Sequence, residues 1–173
     1  MPKQISIITG KVWRFGSDIS TDDIISGVHL STIEIAKLTT YAFQHLRPEF
    51  AEKVQVGDII VSGEHFGIGS SREEAPAILK QLGIGAVVAA SFARIFFRNS
   101  FNIGLPAIEC SELKKDPEII RDGDLIEIDL QESILINQDT KKSYKIAKIP
   151  PFLLAYLEAG GAIPLLKKRL KTR

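Results

Sequence analysis

Apolar and polar positions are most legible in the middle of the chain. Asp58 to Gly63 is a short apolar run behind a Gly-Asp turn and is predicted to be a strand. A glycine-rich loop follows, Glu64 to Ser71. From Arg72 to Leu82, residues Ala75, Ile78, Leu79 and Leu82 recur at helical spacing, and Gly83 is a natural stop. Ala86 to Ala90 is a second buried strand. Ser91 can cap a second helix, Phe92 to Asn102, which Gly104 ends, and Leu105 to Glu109 is a further strand. Strand, helix, strand, helix and strand in that order imply parallel pairing with right-handed crossovers.

The flanks differ in character. Ile5 to Phe15 is strand-like around Gly10, a turn or bulge, and leads into a polar loop, Gly16 to Asp23. Ile33 to Phe50 is mostly helical in pattern, with Tyr41, Phe43 and Leu46 as buried positions, until Pro48 interrupts it. Leu125 to Leu130 alternates as a half-buried strand. Ile134 to Ile136 and Tyr144 to Ile146 form two arms of a hairpin. Pro150 and Pro151 open a helix, Phe152 to Ala159, closed by Gly160 and Gly161. A parallel α/β unit is thus joined to antiparallel strands. The expected fold is a single α/β domain, a mixed β-barrel or sandwich with helices packed outside.

Composition narrows the function classes. The 173 residues suit one domain with a real core. Hydrophobic residues make up 45% and charged residues 25%, with a net charge of +1. No basic excess points to nucleic acid, and no run approaches the length needed to span a bilayer. The basic end, Lys167 to Arg173, is a solvated helix end or tail. The apolar run Ile5 to Ile8 is too short for a signal-peptide core. The one cysteine, Cys110, permits no internal disulfide, so a reducing, cytoplasmic setting is expected.

The candidate chemistry lies in Gly67-Ile68-Gly69-Ser70-Ser71-Arg72-Glu73, between a strand and a helix. Ligands favour the carboxyl ends of parallel strands. Glycines let the backbone approach a ligand, free N–H groups at a helix start favour an anion, and an arginine fork can hold a carboxylate. The same spacing also fits a plain capping box, with Ser70 as cap and Glu73 reaching back. Against it, Pro76 would lie a turn inside a helix that starts there, and a cap needs neither two glycines nor an arginine. No lysine follows to make a P-loop, and the third position of a dinucleotide fingerprint is Arg72 rather than glycine.

This motif, followed by Ala90-Ser91-Phe92-Ala93-Arg94-Ile95-Phe96-Phe97-Arg98-Asn99, resembles the swivel domain of the aconitase superfamily. Ser20-Thr21-Asp22-Asp23-Ile24 and Gly104-Leu105-Pro106 fit the same pattern. The length and the ending Tyr156-Leu157-Glu158-Ala159-Gly160-Gly161 resemble its stand-alone small subunits, of the isopropylmalate dehydratase and homoaconitase branch. The resemblance runs through nearly the whole chain. It implies one swivel domain over residues 1–173, with a swivelling β/β/α fold like the fourth domain of aconitase. It also implies a large partner subunit whose cysteines carry a [4Fe–4S] cluster, while this chain binds no cofactor or metal. Self-association of the small subunit stays open.

The resemblance further implies a hydro-lyase acting on a small hydroxy acid by dehydration and rehydration, active only with the large subunit. Ser70 takes the catalytic base position. Asp22 orients a catalytic group or water, with a solvated turn as its bland alternative. Ser71, Arg72 and Thr21 fall at substrate-binding positions. Arg94 and Arg98 are left out of the site as structural. The stretch Val28-His29-Leu30-Ser31-Thr32 falls where the family reads the far end of the substrate. Homoaconitase-like members carry an arginine at the position of Ser31. Serine offers no charge to a third carboxylate, which would be left unpaired. Val28 and Leu30 accommodate an isopropyl group, so 3-isopropylmalate in leucine biosynthesis is expected. Homoaconitate, citramalate or dimethylmalate types, or a broad specificity, stay open. A non-catalytic dicarboxylate-binding module is the alternative from another class.

Overall fold

Residues 6–30 and 34–171 are described in a computed structural model of the chain. Ile5 and Ile33, where two expected elements begin, lie outside them. The strands are β1 (Ile7–Arg14), β2 (Ile59–Ser62), β3 (Ala86–Ala89), β4 (Ala107–Glu109), β5 (Leu125–Asp129), β6 (Ile134–Asn137) and β7 (Lys142–Lys145). The helices are α1 (Thr21–Ile24), α2 (Ile35–Leu38), α3 (Phe50–Lys53), α4 (Glu74–Gln81), α5 (Arg94–Asn102), α6 (Glu112–Lys115), α7 (Pro151–Ala159) and α8 (Ala162–Lys171).

All seven strands form one sheet in the order β4-β3-β2-β1-β5-β6-β7. The first four are parallel; β1, β5, β6 and β7 are antiparallel. β1 therefore joins the two halves. Every residue of β2 and β3 is buried, because helices or strands cover both faces. Ile60 and Val87 face a core with α1, α4 and the aromatic residues Phe15, Phe43 and Phe50. Ile59, Val61 and Val88 face the other core, shared with Ile126, Ile128 and Leu135 of the antiparallel half. The sheet thus curls over its own second core, which is how one sheet makes the expected mixed arrangement. No helix of the described residues is long and apolar enough to cross a membrane.

Several local expectations are corrected. Gly10 makes no turn or bulge; it stays in the β1–β5 ladder opposite Ile126. It is glycine because a Cβ there would lie 2.0 Å from the Gly57 carbonyl oxygen. The stretch 34–50 is not one helix but one short α-turn at Ile35–Leu38, a 3-10 turn at Thr39–Tyr41 and loops, with α3 starting only at Phe50. The Thr39 and Thr40 hydroxyls donate to the carbonyls of Ala36 and Lys37, and Phe43 sits at a φ of 52°. Such local bonds and a left-handed residue end a helix. Phe43 is buried as expected, but Tyr41 and Leu46 are exposed.

α4 begins at Glu74, not Arg72, and Ser70 does not cap it; its N-cap is Glu73, with no side-chain cap bond. The late start puts Pro76 third in the helix, where no intrahelical N–H partner is lost. Ser91 is likewise not a helix cap. α5 starts at Arg94, and the Ser91 Oγ accepts the His65 N–H at 2.9 Å. The capping box lies instead at Ser20 and Asp23: the Ser20 Oγ accepts the Asp23 N–H at 3.0 Å, and Asp23 accepts the Ser20 N–H at 2.8 Å. Of the basic end, Lys168, Arg169 and Lys171 fall in the last turn of α8, where cations oppose the negative end of the helix dipole.

Candidate functional site

Because β1, β2 and β3 are parallel, the loops after them leave from one edge of the sheet. Those loops stay zipped by backbone bonds. The Asp18 N–H donates to the Glu64 carbonyl, Gly67 N–H to Ile19, Thr21 N–H to Ile68 and Ala93 N–H to Phe66, all at 2.7 to 2.9 Å. Asp18 and His65 both occupy the left-handed region and clasp each other across the two loops, Nδ1 to Oδ1 at 2.8 Å. Gly67, at a φ of +82°, lies flat against Phe96; a Cβ would sit 2.3 Å from its Cγ. Gly69, at +103°, turns the chain so that Ser70 stands beside α1.

The zipper delivers Thr21 to Ser70 across 49 residues of sequence. Thr21 is 1% exposed, whereas Ser70 and Ser71 are exposed. The Thr21 Oγ1 accepts the Ser70 N–H at 3.2 Å and lies 3.2 Å from the Ser70 Oγ. The single threonine hydroxyl proton lies within reach of both the Ser70 carbonyl oxygen, at 3.4 Å, and the Ser70 Oγ. Arg72 meets α1 as well. Its Nη1 donates to the Asp22 Oδ1 at 2.5 Å and to the Ile25 carbonyl at 3.0 Å. Its Nη2 packs where Gly27 has no side chain; a Cβ would lie 3.0 Å away. Asp22 also accepts the Gly27 N–H at 3.3 Å. Among the described residues only Nη1 is bonded, so Nη2 and Nε keep donors for an anion.

Four expected site residues, Ser70, Thr21, Asp22 and Arg72, are therefore brought together. Ser71 adjoins them without a side-chain bond of its own among the described residues. Val28 projects 76% exposed from a 3-10 turn, Gly27–His29, next to Arg72. Leu30 turns the other way and packs on the core, so it is half-buried rather than presented with Val28. Ser31 and Thr32 lie outside the described residues. Asp22 is not a plain solvated turn residue, since it is held by Arg72. Its neighbour Asp23 is consumed by the capping box. The Ser-x-x-Asp spacing of residues 20–23 carried that signal. Arg94 and Arg98, left out of the site as structural, are exposed and make no ion pair with a carboxylate among the described residues.

The Asp22 carboxyl is held below its ordinary 3.8, chiefly by its hydrogen bond from Arg72. A carboxylate whose folded-state pKa is depressed stabilises the fold above its unfolded value, and that contribution is lost as pH falls through the folded value. The Arg72–Asp22 clamp is thus intact at neutral pH and opens only in acid. A carbon-detected NMR titration should place the Asp22 midpoint below 3.8; a midpoint at or above it would mean that no clamp forms in solution.

Cys110 is buried, and burial pushes its thiol pKa up. Among the described residues no three His, Cys, Asp or Glu side chains gather as a metal site.

The chain is similar to known proteins over most of its length. The family model described as "Aconitase C-terminal domain" matches residues 16–113. The chain is 49% identical to the 3-isopropylmalate dehydratase small subunit of Nautilia profundicola, covering 96% of this chain and 98% of that one. It is 44% identical to the isopropylmalate/citramalate isomerase small subunit of Methanocaldococcus jannaschii, covering 95% and 96%. A crystal structure of a 3-isopropylmalate dehydratase chain from the same organism superposes with a TM-score of 0.89, at 40% identity and 96% coverage of both chains.

Proposed function

The chain belongs to the aconitase C-terminal domain family and, within it, to the 3-isopropylmalate dehydratase small subunits; from this we propose that it is the cytoplasmic small subunit of a two-chain hydro-lyase isomerising 2- and 3-isopropylmalate in leucine biosynthesis. A larger partner is implied by the relatives' names. The observation that carries the reading is the convergence of Ser70, Thr21, Asp22 and Arg72 at the carboxyl edge of the parallel strands.

A [4Fe–4S] cluster on the large subunit supplies, when bound, Lewis-acid assistance to the departing hydroxyl. This chain's residues handle the proton and the carboxylate. Ser70, as its alkoxide, takes the proton from the carbon α to a substrate carboxylate and returns it in the reverse direction. A serine alkoxide needs stabilisation, and the Thr21 hydroxyl, 3.2 Å away, donates to it. The remaining donors of Arg72, with Ser71, bind the carboxylate and orient that proton toward Ser70. Asp22 holds the guanidinium in place, which makes it a positioning residue rather than an acid or base. The exposed apolar Val28 meets the isopropyl group. The isopropylmalate/citramalate isomerase relative favours citramalate as a second substrate.

The test combines the chain with its cluster-loaded large subunit under anaerobic conditions and follows the unsaturated acid formed from 2- and 3-isopropylmalate, citramalate and homocitrate. Turnover of isopropylmalate by the mixture, and by neither chain alone, is expected. A formed, cluster-loaded complex inert toward every hydroxy acid would sink the proposal and favour a non-catalytic dicarboxylate-binding module.

A further inference from the structure

The turn that carries Val28 is held from both sides. On one side Gly27 donates its N–H to Asp22 and packs on Arg72. On the other, the His29 ring stacks on Tyr41, with centroids 3.9 Å apart and planes 9° from parallel, and its Nε2 lies 3.1 Å from the Gln44 Oε1. Tyr41 and Gln44 flank Phe43, the left-handed residue. Phe43 is fully buried, its ring 4.2 Å from Phe15 and 4.9 Å from Phe50, and its N–H donates to the Ile24 carbonyl at the end of α1. α1 is the helix that carries Thr21 and Asp22. The platform under His29 and the residues beside Ser70 therefore share one rigid frame. Tyr41 is itself 37% exposed, so core packing alone does not account for its ring lying against an imidazole.

We propose that Tyr41 and Gln44, acting through His29, are positioning residues that fix Val28 relative to Ser70 and Arg72 and thereby set selectivity for the size of the substrate's alkyl group. This rests on the function proposed above. A hydrophobic contact discriminates by the fit of one or two carbons, and a displaced wall loses that discrimination before it loses the chemistry. Besides Leu30, which packs on the core, the His29–Tyr41–Gln44 clasp is the side-chain hold on the turn, among the described residues, that does not pass through Asp22 or Arg72.

The experiment measures kcat/KM of the assembled enzyme for 2-isopropylmalate and for citramalate, which carries methyl in place of isopropyl. Tyr41→Ala and Gln44→Ala should each shift the ratio of the two values about tenfold, on the scale of a misfitted carbon or two. Tyr41→Phe keeps the ring and should keep the wild-type ratio. A merely structural role would lower the active fraction and move both values together; an unchanged ratio in both alanine variants overturns the proposal. Amide hydrogen exchange on the full-length chain alone is the second readout. Gly27 to Leu30 should exchange faster in Tyr41→Ala while β2 and β3 do not change, and equal exchange overturns the clasp whatever the kinetics. Failure of the wild-type complex to turn over either acid would instead count against the proposed function, and exchange would still decide the clasp.

Discussion

Ser70→Ala is expected to lower kcat of the assembled enzyme about 10³-fold, within the usual range for removal of a positioned base. The substitution deletes one exposed oxygen whose only side-chain partner among the described residues is Thr21. The backbone bond from the Ser70 N–H to the Thr21 Oγ1 stays, as does the Arg72–Asp22 clamp. Subunit assembly and KM should therefore change little, so the loss falls on kcat. Rates of isopropylmalate dehydration, with the complex quantified by sedimentation, would measure this. A loss under tenfold would remove Ser70 from the base role. Loss of assembly would mean that its hydroxyl serves the subunit contact instead.

Arg72→Lys should lower kcat/KM about 100-fold, although the charge is kept. The guanidinium reaches Asp22 and Ile25 through one nitrogen and packs beside Gly27, and its other nitrogens make no hydrogen bond among the described residues. An ammonium is a point donor without that fork. If it bonds Asp22, it has little left to orient a carboxylate, and a hydrogen bond to a charged group is worth about 1.5–3 kcal/mol. The same variant should raise the Asp22 pKa toward its ordinary value, because the largest cause of its depression is the Arg72 bond. Full kcat/KM in the lysine variant would mean that Arg72 acts only as bulk positive charge.

The middle of the chain was legible because its signals are local. Ile59 to Val61 and Ala86 to Ala89 read as buried strands since every residue in them is apolar, and the structure buries each one. The 3.6-residue spacing of Ala75, Ile78 and Leu79 likewise marks a real buried face. Pro76 speaks against a cap at Ser70, and the structure has none there, although two Ser-x-x-acid spacings compete. Residues 20–23 and 70–73 look alike in sequence, but only the first forms the box, because a proline six residues after Ser70 delays the second helix. The stretch 34–50 has helical periodicity, yet paired threonines and a left-handed Phe43 pinned to Ile24 break it into turns.

The sequence by itself determined the element types of the parallel half, the glycine hinge before Ser70 and the family to which the chain belongs. These reside in consecutive residues, whose spacing and chemistry need no distant partner to be read. Only the tertiary structure decided what Ser70 meets. Its approach to Thr21, the grip of Arg72 on Asp22 and the stacking of His29 on Tyr41 follow from the parallel register of β1, β2 and β3 and from the backbone bonds that zip their loops. Contacts between residues tens of positions apart depend on that register, and no local pattern of hydrophobic and polar residues encodes it.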